Sequence, residues 1–510
     1  MKKILQSLLS RTSMIAFAIL VQIAVLLLMI TQFSSYYVWF YGICNVISIA
    51  VLLWILNTGE LHPTYKFAWC VSILLFPIFG GLIYLMFGRS RHNRFIRRSV
   101  SLENQSFRTY LKQDPQILEK ISQLNADAGA QAQYLQRYSN CPASRNDSAV
   151  YFPSGEAKFL ALVEELKKAE HFIFLEYFII REGVMWDTIL EILAQKAKEG
   201  VEVRVMYDDM GCLFTLPFKY SRRLNKMGIQ CCVFNSFVPF LSTLMNNRDH
   251  RKIVVIDGKV AFTGGVNLAD EYINLTPRFG KWKDAAVMIR GEGVWNFTVM
   301  FLSLWGFERK ITEDYEKFRV EPEPDELCEG GYVIPYSDNP LDWEPVCRNV
   351  YLNLISRSKK YLYINTPYLI PDNEIITALC NAAKSGVDVR IITPHIPDKK
   401  LVYRVTRANY EFLVKNGVKI YEYLPGFNHA KTVVCDDEYG IVGTINFDYR
   451  SFYMHFECAV WMFRCPAVGN MRDEFEMSLS QCSQVVHAEC RTSWYTRAFN
   501  SILNLFAPIM

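Results

Sequence analysis

Hydrophobic residues cluster at the start of the chain, in three uncharged runs that cover residues 14–33, 36–57 and 67–87. A helix of about 20 residues spans the hydrocarbon core of a bilayer, which is roughly 30 Å thick. The first run is too long for the apolar part of a signal peptide, and no cleavage site of small residues follows it. The pattern therefore predicts a membrane anchor in residues 1–90, with two or three transmembrane helices.

Basic residues flank the anchor on both sides. Lys2, Lys3 and Arg11 precede it, and a larger cluster follows the last apolar run, formed by Arg89, Arg91, Arg94, Arg97 and Arg98. Positive charge beside membrane segments favours the cytoplasmic side. The larger cluster thus predicts a multi-pass protein of the cell membrane with a cytoplasmic catalytic region. Three full spans would separate the two basic groups, whereas a shallow or re-entrant run would keep them together, and both topologies stay open.

Beyond the anchor, the pattern of polar and hydrophobic residues changes twice. Residues 91–148 are mostly polar and predict a connector with one or two solvated helices. From Tyr151, helical periodicity in residues 157–168 and 186–199 alternates with strand-like segments at residues 171–180 and 201–209. Strands that alternate with helices predict a mostly parallel sheet covered on both faces.

The same order of segments repeats later in the chain. NAAKSGVDVRIITP aligns with QKAKEGVEVRVMYD, and YLYINTPYLI aligns with HFIFLEYFII. This duplication predicts two similar α/β halves, residues 149–330 and 331–490, which a pseudo-two-fold axis would bring to a shared cleft. A tail follows in residues 491–510. It is too short to span a bilayer, so an interfacial helix and an ordinary packed helix are both open.

Composition narrows the classes of partner. The net charge of +4 is small for a chain of 510 residues, so charge gives no reason to expect a nucleic-acid partner. The basic segment PFKYSRRLNKMG fits a solvated helix face better than a lipid contact. The 14 cysteines are scattered without a C-x-x-C pair, which favours reduced core thiols over a metal site.

One motif occurs in both halves with the same spacing. The first copy contains His250, Lys252, Asp257 and Asn267, and the second contains His429, Lys431, Asp436 and Asn446. Two copies that agree at every offset are very improbable by chance. Because side chains at i and i+2 share one face of a strand, each histidine should project together with its lysine.

This set of side chains suits a phosphodiester. The lysines and asparagines can hold the non-bridging oxygens and offset the charge of the transition state. One neutral histidine can attack phosphorus while the other, protonated, supplies a proton to the leaving oxygen. A reference pKa of about 6.5 makes both protonation states accessible. Neither a metal nor a cofactor is expected.

Other residues of the motif have a structural interpretation. Asp257 and Asp436 stand at the far end of their predicted strands, where they more readily serve a turn than the chemistry. Gly264, Gly265 and Gly443 should permit close approach of the backbone.

A second duplicated pair lies downstream. The segment GKWKDAAVMI aligns with MHFECAVWMF and equates Asp284 with Glu457. An acidic residue in an apolar strand needs a partner. We predict that each orients a catalytic imidazole through its other nitrogen, and a simple salt bridge is the alternative.

The doubled pattern H-x-K-x4-D-x6-G-[GST]-x-N resembles the phospholipase D superfamily. Over nearly its whole length the chain resembles the bacterial cardiolipin synthases of that superfamily, in NRDHRKIVVIDGKVAFTGGVNLADEY, FNHAKTVVCDDEYGIVGTINFDYRSF and LIYLMFGR. The resemblance implies two phospholipase D-like α/β halves with mixed sheets flanked by helices, behind N-terminal transmembrane helices. It also implies the joining of two phosphatidylglycerol molecules into cardiolipin, with release of glycerol through a phosphatidyl-histidine.

The resemblance carries residue roles as well. The family's catalytic set maps onto His250, Lys252, Asp257, His429, Lys431 and Asp436, and its phosphate-binding set onto Lys252, Asn267, Lys431 and Asn446. By analogy His250 would be the nucleophile and His429 the general acid. Many superfamily members have serine after the first glycine of the motif, whereas this chain has Gly265 and Thr444.

Four other functions fit parts of the pattern. A membrane-bound phospholipase D that releases phosphatidic acid would use the same intermediate, so the motif does not separate it from a synthase. A phosphatidylserine synthase or a tethered nuclease leaves the full-length resemblance unexplained. An inactive scaffold would be expected to have lost a histidine or a lysine, and all four are present. Phosphatidylglycerol and other membrane phospholipids are thus the expected partners.

Overall fold

The computed structural model describes residues 37–57, 63–75, 81, 84, 105, 107–145, 148–236, 247–320, 330–342, 344–490 and 493–505. These residues divide into two compact units, one within residues 37–84 and the other from residue 105 onwards. The first predicted apolar run, residues 14–33, lies outside the described residues.

The N-terminal unit contains two helices, α1 (Tyr37–Asn57) and α2 (Pro63–Leu75). They pack through a small cluster that includes Val51, Ile55 and Ile73, with Tyr84 against it. Ile47, Leu52 and Trp54 are partly buried against this cluster. Six apolar side chains of α1 are exposed, namely Trp39, Ile43, Val46, Ile49, Leu53 and Leu56.

Within the described residues we find no helix whose length and apolarity together suffice to cross a membrane. The transmembrane helices expected from the sequence therefore stay a prediction.

Two helices precede the first half, α3 (Pro115–Leu124) and α4 (Ala126–Tyr138). The prediction that this connector is solvated is wrong, because one face of each helix is buried. Ile117 and Ile121 of α3 are enclosed, and Gln131 of α4 accepts a hydrogen bond from the indole of Trp461 at 2.9 Å. The same side chain donates to the carbonyl of Val350 at 3.0 Å. The connector is thus packed against the second half.

The first half is a seven-stranded sheet with helices, and one short strand before it, β1 (Ser144–Arg145), joins the other sheet. In chain order its elements are β2 (Ser148–Phe152), α5 (Gly155–Lys168), β3 (Phe172–Tyr177), α6 (Val184–Lys198), β4 (Glu202–Asp208), α7 (Tyr220–Lys226), β5 (Gln230–Phe234), β6 (Arg248–Asp249), β7 (Ile253–Ile256), β8 (Val260–Gly264), β9 (Lys281–Lys283), β10 (Ala286–Arg290) and α8 (Val294–Arg309). The sheet order is β2-β10-β8-β7-β3-β4-β5, and β6 and β9 lie outside it.

The second half repeats this architecture. Its elements are β11 (Tyr332–Asp338), α9 (Val346–Arg357), β12 (Tyr361–Asn365), β13 (Leu369–Ile370), α10 (Asn373–Lys384), β14 (Asp388–Pro394), α11 (Lys400–Lys415), β15 (Lys419–Tyr423), β16 (Gly426–Asn428), β17 (Thr432–Cys435), β18 (Tyr439–Gly443), β19 (Phe447–Asp448), α12 (Tyr449–Tyr453), β20 (His455–Phe463), α13 (Pro466–Leu479), β21 (Cys482–Gln484) and α14 (Trp494–Leu505). The order β11-β20-β18-β17-β12-β14-β15 matches that of the first sheet strand for strand. The predicted duplication is confirmed.

The expected mostly parallel sheet is wrong for both halves. In the first sheet only the pairs β3–β4 and β4–β5 are parallel, because these strands are joined through the helices α6 and α7. The parallel pairs of the second sheet are the equivalent β12–β14 and β14–β15. The strands β7, β8 and β10 pair antiparallel. A tight turn between β7 and β8 joins antiparallel strands directly, which no parallel pair permits. The mixed sheet implied by the family resemblance is the correct description.

One detail of the sequence alignment is off by a residue. Phe172 pairs with Glu202 and Tyr361 pairs with Asp388 in equivalent positions of the two sheets. Tyr361 is therefore the counterpart of Phe172, and the alignment of YLYINTPYLI with HFIFLEYFII is shifted by one place. A shift of one residue exchanges the two faces of a strand, so only the pairing fixes the register.

A shared core holds the halves together. Ile253 and Val255 of β7 belong to the same hydrophobic cluster as Val433 and Val434 of β17. A buried ion pair between Lys283 and Glu474 also crosses the boundary. The cysteines whose side chains the structure describes are free thiols, and all of them except Cys482 and Cys490 are buried.

Candidate active site

Just before its catalytic histidine, each half contributes a short strand that pairs with a strand of the other half. The strand β6 pairs in parallel with the start of β20, and the backbone N–H of His250 donates to the carbonyl of Phe456 at 3.0 Å. The strand β16 pairs in parallel with β9, and the N–H of His429 donates to the carbonyl of Lys283 at 2.7 Å. His250 is therefore placed beside β20, which contains Glu457, and His429 is placed beside the end of β9, one residue before Asp284.

The acidic residues meet the histidines crosswise. The Nδ1 atom of His250 lies 3.0 Å from both carboxylate oxygens of Glu457. The Nδ1 atom of His429 lies 2.7 Å from Oδ2 of Asp284. In both pairs the ring engages its carboxylate through Nδ1, which leaves Nε2 to face a reacting group. The sequence pointed to a carboxylate for each imidazole, but not to this exchange between halves.

The two lysines lie beside their histidines. The ammonium of Lys252 donates to the carbonyl of His250 at 2.7 Å, and that of Lys431 donates to the carbonyl of His429. Both side chains are buried. Burial lowers the pKa of Lys252 to about 8 and that of Lys431 to about 7. A bound anion would favour their charged forms, because opposite charge stabilises an ammonium.

The two imidazole–carboxylate pairs differ in protonation. Burial would raise the pKa of Asp284, but its attraction to His429 outweighs this effect, and the pKa is lowered. Burial raises the pKa of Glu457 to about 7, although Lys252 opposes the rise. Burial and then Lys431 lower the pKa of His429 to about 4, with Asp284 opposing. Burial and then Lys252 lower the pKa of His250 well below its usual value. Asp284 is thus the more firmly ionised partner.

The asparagines of the two motifs are not equivalent. The carboxamide of Asn267 accepts from the N–H of Ile179 at 3.0 Å and donates to the hydroxyl of Tyr272 at 2.7 Å. The Oδ1 atom of Asn446 is buried and has no hydrogen-bond partner within the described segments. Asn267 is therefore held by protein contacts, whereas Asn446 retains an unused acceptor.

Gly265 and Thr444 meet the carboxylates in different ways. A Cβ atom on Gly265 would lie 2.0 Å from Oδ1 of Asp284, so no side chain fits at this position. The hydroxyl of Thr444 instead donates to Glu457. Neighbouring strands approach Gly264 and Gly443 closely, and an added Cβ would lie 2.4 Å from backbone oxygens at both positions.

Within the described residues, neither Asp257 nor Asp436 forms a hydrogen bond or an ion pair with His250 or His429. Asp257 has a positive φ of 51° at the turn after β7 and accepts the N–H groups of Glu170, His171 and Phe172 at 2.7–2.8 Å. Asp436 accepts the equivalent groups of residues 359–361 at 2.7–2.9 Å. Their inclusion in the catalytic set taken from the family is corrected, since both carboxylates are used to fix the start of a neighbouring strand.

The sequence analysis did not identify three ring side chains at the site, two aromatic and one imidazole. Trp282 packs on His429 with ring centroids 5.2 Å apart, and Phe178 packs on His250 at 5.1 Å. The ring of His455 lies 5.6 Å from that of His250. Trp282 and His455 stand two places before Asp284 and Glu457, so the i, i+2 rule applied to the acidic pair would have found them.

One group of side chains is close enough together to consider a metal ion. Ligand atoms of His250, His455 and Glu457 lie within 4.8 Å of one another. However, both oxygens of Glu457 face Nδ1 of His250 at hydrogen-bond distance. The carboxylate thus holds the ring, and the arrangement supports acid–base and nucleophilic chemistry at two imidazoles.

Comparisons with known proteins agree with this geometry. The family described as "Cardiolipin synthase, PLD-like domain" matches residues 162–289 and 351–479, and "Phospholipase_D-nuclease N-terminal" matches residues 46–89. A cardiolipin synthase of Halalkalibacterium halodurans is 34% identical over 91% of this chain and 92% of its own length. An uncharacterized protein of Streptococcus mutans is 46% identical over 91% of this chain and all of its own length.

A solved structure shares the fold. The phosphatidylserine synthase of Haemophilus influenzae superimposes with a TM-score of 0.57 at 15% identity, covering 74% of this chain and 97% of the other. At this identity the likeness concerns the fold alone. The family matches cover both halves, and the cardiolipin synthase relatives align over most of the chain. The chain belongs to the bacterial cardiolipin synthase family of the phospholipase D superfamily.

Proposed function

We propose that the protein transfers a phosphatidyl group from one phosphatidylglycerol to a second, and so makes cardiolipin and glycerol. The observation that carries this proposal is the crosswise pair of imidazole–carboxylate contacts, His250 with Glu457 and His429 with Asp284. They present two histidines, each held by a carboxylate of different pKa, to one phosphodiester.

In the first step His250 is the nucleophile. Its Nε2 atom forms a bond to phosphorus while the bond from phosphorus to the headgroup glycerol oxygen breaks. His429 donates its proton to that oxygen, and glycerol leaves. Lys252 and Lys431 hold the non-bridging oxygens, where a preorganised positive charge offsets the negative charge of the transition state. The Asn267 carboxamide is engaged by Ile179 and Tyr272, so Asn446 is the asparagine better able to donate its side-chain NH2 group to these oxygens.

In the second step the acceptor lipid resolves the intermediate. The hydroxyl of a second phosphatidylglycerol gives its proton to His429, and its oxygen attacks phosphorus. The bond between phosphorus and His250 breaks, cardiolipin leaves and both imidazoles return to their starting state. If water takes the place of the lipid hydroxyl, the product is phosphatidic acid.

The roles of the two histidines follow from their carboxylates. A general acid must hold a proton at the moment of transfer, and an ionised carboxylate on Nδ1 stabilises the imidazolium. Asp284, with its lowered pKa, gives His429 this support. Burial and then Lys252 hold the pKa of His250 well below its usual value, which suits a neutral nucleophile.

We further propose that the protein works at the cell membrane, with residues 1–90 as a multi-pass anchor and the two halves in the cytoplasm. The exposed apolar side chains of α1 support an anchoring role. A second apolar surface lies on α14, where Trp494, Tyr495 and Phe499 are exposed and Arg404 covers the ring of Phe499 at 5.3 Å. Exposed aromatic and basic side chains together are typical of a surface that meets anionic lipid.

The test uses the full-length protein in vesicles of phosphatidylglycerol, with mass spectrometry of the lipids and assay of free glycerol. We expect cardiolipin and glycerol in equal amounts from the wild type. The variant H250A should lose at least about 10⁴-fold, since the covalent step is removed. H171N changes an exposed histidine and serves as the control. Phosphatidic acid in place of cardiolipin would establish a hydrolase, and unchanged cardiolipin formation by H250A would refute His250 as the nucleophile.

A further inference from the structure

The residue two places before each carboxylate differs between the halves. Trp282 precedes Asp284, and His455 precedes Glu457. Trp282 donates its indole N–H to Oδ2 of Asp284 at 3.3 Å, so a fixed donor stands beside that carboxylate. This substitution breaks the pseudo-symmetry of a site in which the histidines and lysines are otherwise doubled.

His455 has different surroundings from Trp282. Its Nδ1 atom lies 3.8 Å from Oε1 of Glu457, just beyond hydrogen-bond distance. Both of its ring nitrogens are enclosed, and neither has a hydrogen-bond partner in the parts of the chain that the structure describes. Buried polar groups are nearly always paired, so an exception beside a reacting imidazole needs a physical reason.

The state of Glu457 decides whether His250 can attack. A nucleophilic Nε2 needs a free lone pair, so the proton of neutral His250 has to sit on Nδ1 and be donated to Glu457. If Glu457 is protonated on that oxygen, it donates to Nδ1 instead, and the proton of His250 moves to Nε2. Because burial raises the pKa of Glu457 to about 7, the unproductive form is populated at neutral pH.

We propose that His455 exchanges a proton with Glu457 and is thereby the positioning residue that keeps His250 in its nucleophilic tautomer. The O–H bond of Glu457 breaks and an N–H bond forms at Nδ1 of His455, after a small ring movement that closes the 3.8 Å gap. The proton returns when the intermediate is resolved. The inference rests on the proposed phosphatidyl transfer and adds a third histidine to its first step.

Charged neighbours set the direction of this exchange. His455 is faced by Glu457, His250 and Lys252, and by Arg450 and Lys399 from the adjoining segments. Burial and these positive neighbours lower the pKa of His455 well below its usual value, so Glu457 keeps the proton in the empty site. The phosphodiester anion of a bound lipid opposes the positive groups and favours the transfer to His455.

The test is the pH dependence of cardiolipin formation by full-length H455Q and H455W in phosphatidylglycerol vesicles. Glutamine keeps a polar side chain that cannot take up a proton, and tryptophan copies Trp282. In both variants we expect kcat to fall about tenfold at pH 6 and less than about twofold at pH 8.5, since only ionised Glu457 would remain productive. On the acidic side of the profile, the pH at which kcat is half-maximal should rise by about one unit. H171N should match the wild type.

A second readout separates this role from a merely structural one. The burst of phosphatidyl-enzyme can be measured by rapid quench. Its pH dependence should shift in the variants as that of kcat does, because His250 acts in that step. A uniform loss at every pH, or a wild-type profile in folded H455Q, would overturn the proposal. Failure of the wild type to make any cardiolipin would instead refute the proposed function, so the two failures are distinct.

Discussion

The Nδ1 atom of His429 lies 2.7 Å from Oδ2 of Asp284, a residue 145 positions earlier in the other half of the chain. His250 contacts Glu457 in the opposite direction, across 207 positions. The short strands β6 and β16 make this exchange possible, because β6 pairs with β20, which contains Glu457, and β16 pairs with β9, which ends one residue before Asp284. The site is therefore a single unit built from both halves.

Removal of the charge of Asp284 should affect proton donation by His429 and little else. We expect D284N to lower kcat on phosphatidylglycerol about 100-fold or more, as for the loss of a general acid. With a 4-nitrophenyl phosphodiester lipid, whose leaving group needs no proton, the burst of 4-nitrophenol should stay near the wild-type rate. E457Q is the matched variant and should slow the burst with both substrates. Equal losses of D284N on the two substrates would contradict the assigned role.

Gly265 should tolerate no side chain. A methyl group there would lie 2.0 Å from Oδ1 of Asp284, so G265A should displace this carboxylate from His429. We expect kcat to fall about 100-fold while the protein stays folded. At the matched position T444S should retain activity, because the serine hydroxyl can still donate to Glu457. An active G265A enzyme would show that Asp284 can move without loss.

Substitution of Asp257 should reduce stability and leave the chemistry intact. Its carboxylate accepts three backbone N–H groups, so D257A should lower the free energy of unfolding by about 2–4 kcal/mol. D436A should cost less, because its equivalent contacts are exposed. Chemical denaturation and kcat below the unfolding transition give the two quantities. A loss of kcat beyond about tenfold in folded D257A would restore the aspartate to the catalytic set.

Lys431 should lower stability at neutral and acidic pH. Its folded pKa of about 7 lies below the unfolded value of 10.5, so the penalty for burying the charge is complete below pH 7. That penalty fades as the pH rises from about 7 towards 10.5, since the folded lysine loses its proton first. K431M should therefore be inactive yet unfold at a higher temperature than the wild type at pH 6, and the gain should shrink at pH 9. A gain that is independent of pH would contradict this account.

The sequence predicts which residues form the site better than it predicts the contacts between them. Two motifs with equal spacing identify His250, Lys252, His429 and Lys431, because spacing along a strand determines which side chains share a face. The crosswise contacts depend on pairing between distant strands, which no local pattern records. The prediction of a mostly parallel sheet fails for the same reason, since helix–strand alternation describes only β3, β4 and β5.

The connector and His455 show two further limits. Helix α3 has enough polar residues to appear solvated, but Ile117 and Ile121 give it a buried face that belongs to the main hydrophobic cluster. His455 belongs to no motif, and its importance emerges only from its distance to Glu457 and from the contrast with Trp282. Both depend on tertiary packing, which overrides local composition.

The exchange of carboxylates between the halves has a consequence for descent. After such a duplication the two copies cannot drift apart independently, since a change in the acidic strand of one copy disables the imidazole of the other. In a half separated from its neighbour, the histidine would lack the carboxylate that it contacts in the whole protein. The two halves therefore depend on each other for activity, so they are retained together or inactivated together.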